Sequence, residues 1–336
     1  MADTQAEVLI LTQDFDPTVD PVVRSLTAKG ARVARVDTSY FPRDLTFTTS
    51  DFGGERELMR YRDREVDLSR LSGVWYRRPT AFEFGDEMGE AEQEFARYEG
   101  LHGVGGILRG TDCLWMNRPD VDSVAELKPY QLKLAKRLGM RVPRTLLTND
   151  PDEVVRLADQ GHRLVYKSLT GGVIHYPGAY PSGLLTTVLG EEIHDNAPRV
   201  RHTICQFQEY IEKSYEVRLT VIGNTYFPVT VDSQGDAATQ VDWRAETQQM
   251  KYGDYRPLPE EVVKRTQSLM EELGTVYAAV DFIVTPEGEY VFLEANPSGQ
   301  FMWMQNDIGL PMSDCIADLL MRGGPFRRGE VEQVGY

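Results

Sequence analysis

With 336 residues, a formal net charge of −16 and three cysteines, the chain is long enough for two or three lobes of about 100 to 150 residues each. The acidic balance excludes a nonspecific nucleic-acid binder, which needs a basic footprint, and requires any phosphate or carboxylate site to be locally positive. Cys113, Cys205 and Cys315 are too few and too scattered for a secreted disulfide framework, and read as buried thiols of a reducing compartment.

The apolar run near the N-terminus is short and has no basic residues ahead of it, and no eighteen consecutive apolar residues occur anywhere. A cytoplasmic protein with neither a membrane nor a nucleic-acid partner is expected. The first block, 1–119, opens with a strand at 8–11, a helix at 21–29 and a strand at 31–36, an order that predicts a parallel α/β lobe. Further strands are expected at 46–49 and 71–76, and a long, partly exposed helix at 87–107. In the second block, 120–202, a helix at 126–138 stops at Gly139, and the Asn149-Asp150-Pro151 turn caps the next helix. A strand at 162–168 then runs into TGGVIHYPGAYPSG, which is too irregular for a helix and too long for a simple turn. In the third block, 203–336, strands dominate up to a helix at 259–273, followed by a hairpin and a helix at 311–321.

That hairpin, DFIVTPEGEYVFLEANPSGQ, carries the strongest chemical signal. Apolar β-branched and aromatic residues flank a Pro-Glu-Gly turn, so the start of one strand returns beside the end of the other. Asp281 then lies near Glu294 and Asn296, and the last two share a strand face because they are two residues apart. Two carboxylates and an amide oxygen suit Mg²⁺ that completes its shell with water and nucleotide phosphates. Lys167 sits within the apolar run LVYKSL, where a cation is costly unless it meets an anion. Thr170, Gly171 and Gly172 follow, and glycine lets backbone N–H groups approach phosphate oxygens.

The run D-F-I-V…E-x-N-P closely resembles the metal hairpin of the ATP-grasp ligases, and the α/β ATP-grasp fold follows from that resemblance, with a pre-ATP-grasp parallel α/β domain in front. The resemblance makes Lys128 and Lys167 the phosphate lysines and 170–172 the phosphate-covering loop. It makes Glu209, Tyr210, Ile211 and Glu212 the adenine hinge, and Glu216 the ribose acceptor. W-Y-R-R-P at 75–79, V-D-W-R at 241–244 and N-P-S-G-Q-F-M-W at 296–303 are similar to the branch that matures ribosomal peptides, the graspetide or microviridin type of macrocyclase. Phe301 departs from that branch, which often has tryptophan there.

The branch implies ATP, Mg²⁺ and a precursor peptide with a leader and an acidic core, whose Asp or Glu side chains are joined to Ser or Thr hydroxyls or to Lys amines. It implies leader docking along 226–252 and leaves room for a homodimer. Arg218 and Arg244 are the expected clamp on the substrate carboxylate, and Arg77 and Arg78 the expected contacts to an acidic core. No general base is evident. Two other readings compete: a carboxylate-amine ligase acting on a small molecule or protein tail, and a catalytically silent binding module, against which the intact Asp281, Glu294 and Asn296 argue.

Overall fold

The computed structural model describes residues 6–52, 54–174, 176, 180, 182–245 and 251–336. The N-terminal lobe is built on a four-stranded parallel sheet in the order Arg32–Val36, Glu7–Thr12, Leu71–Arg78, Leu114–Met116. Helix Asp20–Ala28 carries Pro21 in its first turn, where a fixed φ and a missing N–H are tolerated, and buries Val22 and Leu26 against the sheet. Helix Glu90–Arg109 buries Val104 and Leu108 but leaves Phe95, Tyr98 and Leu101 exposed. The strand expected at 46–49 lies outside the parallel sheet. It is Leu45–Ser50 of a separate antiparallel sheet with Arg56–Tyr61 and Arg64–Asp67, two strands whose polar composition hides them in the sequence.

The central lobe is a four-stranded sheet, Thr187–Val188, Leu164–Lys167, Cys205–Glu209, Thr145–Thr148, with antiparallel neighbours. Strand Cys205–Glu209, expected to open the third block at 203, hydrogen-bonds inside this sheet. Where one helix is expected at 126–138, there are two, Pro119–Ala125 and Lys128–Arg137, because Pro129 has no N–H with which to continue the first and instead starts the second. Gly139 takes φ +79° just past that helix, and Asp150 caps helix Pro151–Asp159 by accepting the Asp152 N–H. The irregular loop contains a short pairing of Val173–Ile174 with Ser182–Gly183. Residues 175, 177–179 and 181 of that loop, and 246–250 of the stretch expected to dock a leader, lie outside the described residues.

The largest sheet runs Tyr290–Asn296, Tyr277–Val284, Tyr215–Ile222, Thr225–Val231, Glu332–Gln333. Helices Lys128–Arg137 and Glu260–Leu273 cover one face, with Leu219, Val280, Leu269 and Met270 wholly buried between them. Helix Met312–Met321 instead packs under the N-terminal sheet, where Ile316, Ala317 and Leu320 share a core with Val8, Ile10 and Trp75. The approach is close: a Cβ on Gly73 would lie 2.6 Å from the Leu320 carbonyl oxygen. Cys113 is buried, Cys205 and Cys315 are partly buried, and all three are free thiols. Among the described residues no helix is long and apolar enough to cross a membrane.

Candidate active site

A cleft opens between the central sheet and the large sheet, and its walls follow from strand register. Antiparallel pairing sets Arg218 opposite Asp281 and Asp281 opposite Glu294, so alternation brings Glu216, Arg218, Asp281, Glu294 and Asn296 to one face. Lys167 at the end of Leu164–Lys167, the expected hinge residues Glu209, Tyr210 and Ile211, and Arg244 line the cleft together with Glu216, Asp281 and Glu294. Glu212, the fourth hinge residue, is exposed outside it. Glu209 is held by Arg144, which donates its backbone N–H at 3.0 Å and its Nε at 2.6 Å.

Lys128 reaches this cleft from its helix. Its Nζ lies 2.8 Å from Glu294 Oε2 and donates to the carbonyls of Ser168 and Thr170, tying the glycine loop to the hairpin. Thr170 and Gly171 are exposed. Gly172 has φ +67°, and a Cβ there would lie 2.7 Å from Ser168 Oγ and 2.8 Å from the Leu184 carbonyl oxygen. Only glycine fits. Burial pushes the Glu294 carboxyl up, but Lys167, Lys128 and Arg244 outweigh it and hold the carboxyl down at about 2.

Asp281 accepts two hydrogen bonds from Arg218 Nη1, at 2.9 and 2.8 Å. Arg218 is buried, and although burial pulls its pKa down, Asp281 raises it. The buried Gln131 amide accepts the Ala295 N–H at 2.9 Å and donates to the Ala295 carbonyl at 2.6 Å, which fixes the backbone between Glu294 and Asn296. Asn296 is exposed, lies outside the cleft lining, and accepts the Ser298 N–H through Oδ1 at 3.0 Å. Among the described residues no three His, Cys, Asp or Glu side chains cluster as a metal site. The residues expected to hold a metal offer oxygen alone: the Asp281 and Glu294 carboxylates, which stand opposite each other in register, and the Asn296 amide. Such hard, all-oxygen donors fit Mg²⁺.

Two further cleft residues were not anticipated. Lys213 is buried, with Nζ 2.7 Å from Glu216 Oε1 and 3.1 Å from the Val241 carbonyl, so the expected ribose acceptor already has a cation beside it. Asp242 is buried and accepts from Arg244 Nε at 2.9 Å, from Arg244 Nη2 at 2.6 Å and from the Thr186 N–H at 2.9 Å. Burial pushes the Asp242 carboxyl up, but Arg244 and the backbone donors hold it far below the usual carboxylate range. The signals were the i, i+3 spacing of Lys213 and Glu216 and the aspartate of V-D-W-R. Trp243 packs on Trp303, which stacks on Tyr252, so the Arg244 turn is anchored by the tryptophan of N-P-S-G-Q-F-M-W. Phe301 is wholly buried in the core.

The two N-terminal arginines part company. Arg78 is exposed, but Arg77, also expected to meet an acidic peptide, is 3% exposed. Its two terminal nitrogens are occupied within the protein, by the Ser298 carbonyl and by Gln300 Oε1. Of the stretch expected to dock a leader, strand Thr225–Val231 is interior to the large sheet, and Val229 is a core residue.

Residues 7–123 match the MvdD pre-ATP-grasp domain family. A RiPP-associated ATP-grasp ligase of Chryseobacterium gregarium, solved with ADP and a leader and core peptide, superposes with a TM-score of 0.85 at 29% identity, covering 98% of this chain and 100% of that one. Macrocyclase MdnC of Microcystis aeruginosa, bound with precursor peptide MdnA, gives 0.79 at 28%, covering 93% and 98%. The chain is similar to ATP-grasp ligases of ribosomal peptides over nearly its whole length, and its first third matches their pre-ATP-grasp domain. At 20% identity, ATP-grasp ligase PsnB, solved with a precursor variant, Mg and ADP, shares the fold of this chain with a TM-score of 0.71 over 95% of this chain and 98% of that one. No curated protein matches this sequence significantly.

Proposed function

We propose that this ligase uses ATP and Mg²⁺ to activate Asp or Glu side chains of a ribosomal precursor peptide and joins them to Ser or Thr hydroxyls, as ω-esters, or to Lys amines, as ω-amides, closing macrocycles. The observation that carries the reading is that Asp281, Glu294, Lys167 and Arg244 line one cleft, with Lys128 and Arg218 paired to its two carboxylates. The ADP and peptide complexes of similar ligases support it.

A carboxylate does not acylate a hydroxyl unaided at neutral pH. Its oxygen attacks the γ-phosphorus of ATP in line, ADP leaves, and the acyl phosphate is opened by the hydroxyl or amine, which loses its proton as phosphate departs. Mg²⁺ supplies charge neutralisation at the phosphates. Lys128 and Lys167 bring fixed positive charge to the transferring group, and Glu209, Tyr210 and Ile211 offer the backbone against which adenine is read. Arg244, braced by Asp242, holds the incoming carboxylate so that two anions can meet. Exposed Arg78 is the remaining candidate for an acidic core. A homodimer belongs to the same proposal, with Phe95, Tyr98 and Leu101 as the exposed apolar face a second copy would cover.

The test is turnover of a precursor peptide with a leader and an acidic core, sought in the neighbouring reading frames. Each bond formed should remove one water from the peptide mass and yield one ADP and one phosphate. Release of AMP and pyrophosphate, or efficient ligation of free amino acids with no peptide present, would overturn the proposal.

A further inference from the structure

Arg77 is an expensive residue to place where it is. It belongs to strand Leu71–Arg78 of the N-terminal lobe, is buried, and has no carboxylate within ion-pair distance among the described residues. Its Nε has no acceptor. Burial lowers its pKa, so the environment disfavours the charge it carries. An apolar contact would join two lobes more cheaply than a buried guanidinium, so its bonding pattern has to explain it.

That pattern has two branches, and both end on the hairpin. In one, Arg77 Nη1 donates to the Ser298 carbonyl at 2.5 Å, and the Ser298 N–H donates to Asn296 Oδ1 at 3.0 Å. In the other, Arg77 Nη2 donates to Gln300 Oε1 at 2.9 Å, an oxygen that also accepts from Thr18 Oγ at 3.1 Å. The Gln300 carbonyl accepts Arg218 Nη2 at 3.3 Å, and Arg218 grips Asp281. The turn cannot slide away, because a Cβ on Gly299 would lie 2.3 Å from Ala279 Cβ and 3.0 Å from Arg218 Nη2. One guanidinium of the N-terminal lobe thus touches the chains of contact leading to Asn296 and to Asp281, the two outer members of the proposed donor set.

We infer that Arg77 is a positioning residue through which the N-terminal lobe sets the spacing of Asp281 and Asn296 for the metal-nucleotide complex. This rests on the Mg²⁺ reading above. Gln300 and Thr18 are the other members of the relay.

The experiment reads metal binding directly, with Mn²⁺ as the probe, titrated into the full-length protein with ADP and followed by electron paramagnetic resonance. Replacing the outer partners of metal ligands weakens binding by about 10- to 100-fold. Arg77→Lys and Gln300→Ala should each weaken Mn²⁺ in the presence of ADP by about ten-fold, the double variant should lose little more than either, and ADP affinity measured in chelator should not move. Arg70→Ala, at an exposed arginine of the same lobe, is the control and should match the parent. A folded Gln300→Ala protein that holds Mn²⁺ as tightly as the parent would overturn the relay, even if Arg77→Lys failed to fold. Losses in the two variants that multiply would also overturn it, since independent sites add in free energy. A parent that binds no Mn²⁺ with ADP would overturn the metal reading itself, and the relay with it.

Discussion

Arg218 and Asp281 stand opposite each other on adjacent antiparallel strands and meet through two hydrogen bonds of 2.9 and 2.8 Å, with both side chains largely buried. Removing one partner of such a pair strands a charge, at a cost of about 3–5 kcal/mol. Arg218→Ala should therefore lower stability by that order and abolish turnover. Arg218→Lys keeps the charge but loses the planar fork, so it should recover more of the stability than of the activity. Urea denaturation beside a turnover assay separates the two; equal recovery would contradict a geometric role.

Glu294 is expected to tolerate replacement better in folding than in chemistry. Glu294→Gln releases Lys128 from its 2.8 Å contact but keeps the side-chain volume. Half-saturating Mg²⁺ should rise by about 10- to 100-fold, while the melting temperature changes little. An unchanged Mg²⁺ requirement would remove Glu294 from the donor set.

Arg244→Ala should reduce ring formation by at least about a hundred-fold, a usual scale for losing a group that orients reactants, with leader binding retained. Calorimetry with the leader alone and mass spectrometry of the core measure the two halves. Detaching the leader should weaken core modification, and adding it in trans should restore part of it, because tethering raises the effective concentration of the core.

Asp122 gives the pH dependence. It is buried, Oδ1 has no partner, and burial raises its pKa from 3.8 to about 7, with Glu126 and Asp120 adding to the rise and Asn117 and Arg77 opposing it. Between those two values the folded protein holds a proton that the unfolded chain has released, so stability falls as pH rises through the window. Asp122→Asn should be more stable than the parent at pH 8, by about 1–3 kcal/mol, and the difference should vanish near pH 4. A difference independent of pH would show that Asp122 does not titrate there.

The hairpin was legible because its information is local. Alternating apolar residues, a Pro-Glu-Gly turn and a two-residue spacing are enough to bring Asp281, Glu294 and Asn296 together. Lys167 stood out because a cation inside an apolar strand asks for an anion. What stayed hidden depends on partners far away in the chain. Gln131 reads as a surface helix residue until Ala295 is beside it, and Arg77 reads as a surface cation until Ser298 and Gln300 cover it. Strand Cys205–Glu209 carries nothing that says which sheet it joins, since its pairing with Thr145–Thr148 spans some sixty residues. Helix Met302–Ile308 hides in an apolar run that continues from the hairpin.

Gly73 joins two parts of the chain made far apart in time. The N-terminal sheet matches a domain family over residues 7–123, yet one of its faces is covered by helix Met312–Met321. At about 5–20 residues per second, on the order of ten to forty seconds of synthesis separate the sheet from that helix. Until then Val8, Ile10 and Trp75 have helix Asp20–Ala28 on that side but lack Ile316, Ala317 and Leu320. The nascent lobe is therefore a client for whatever shields apolar surface at the ribosome, and cutting the chain before Met312 should send the sheet into aggregates rather than yield a free-standing domain.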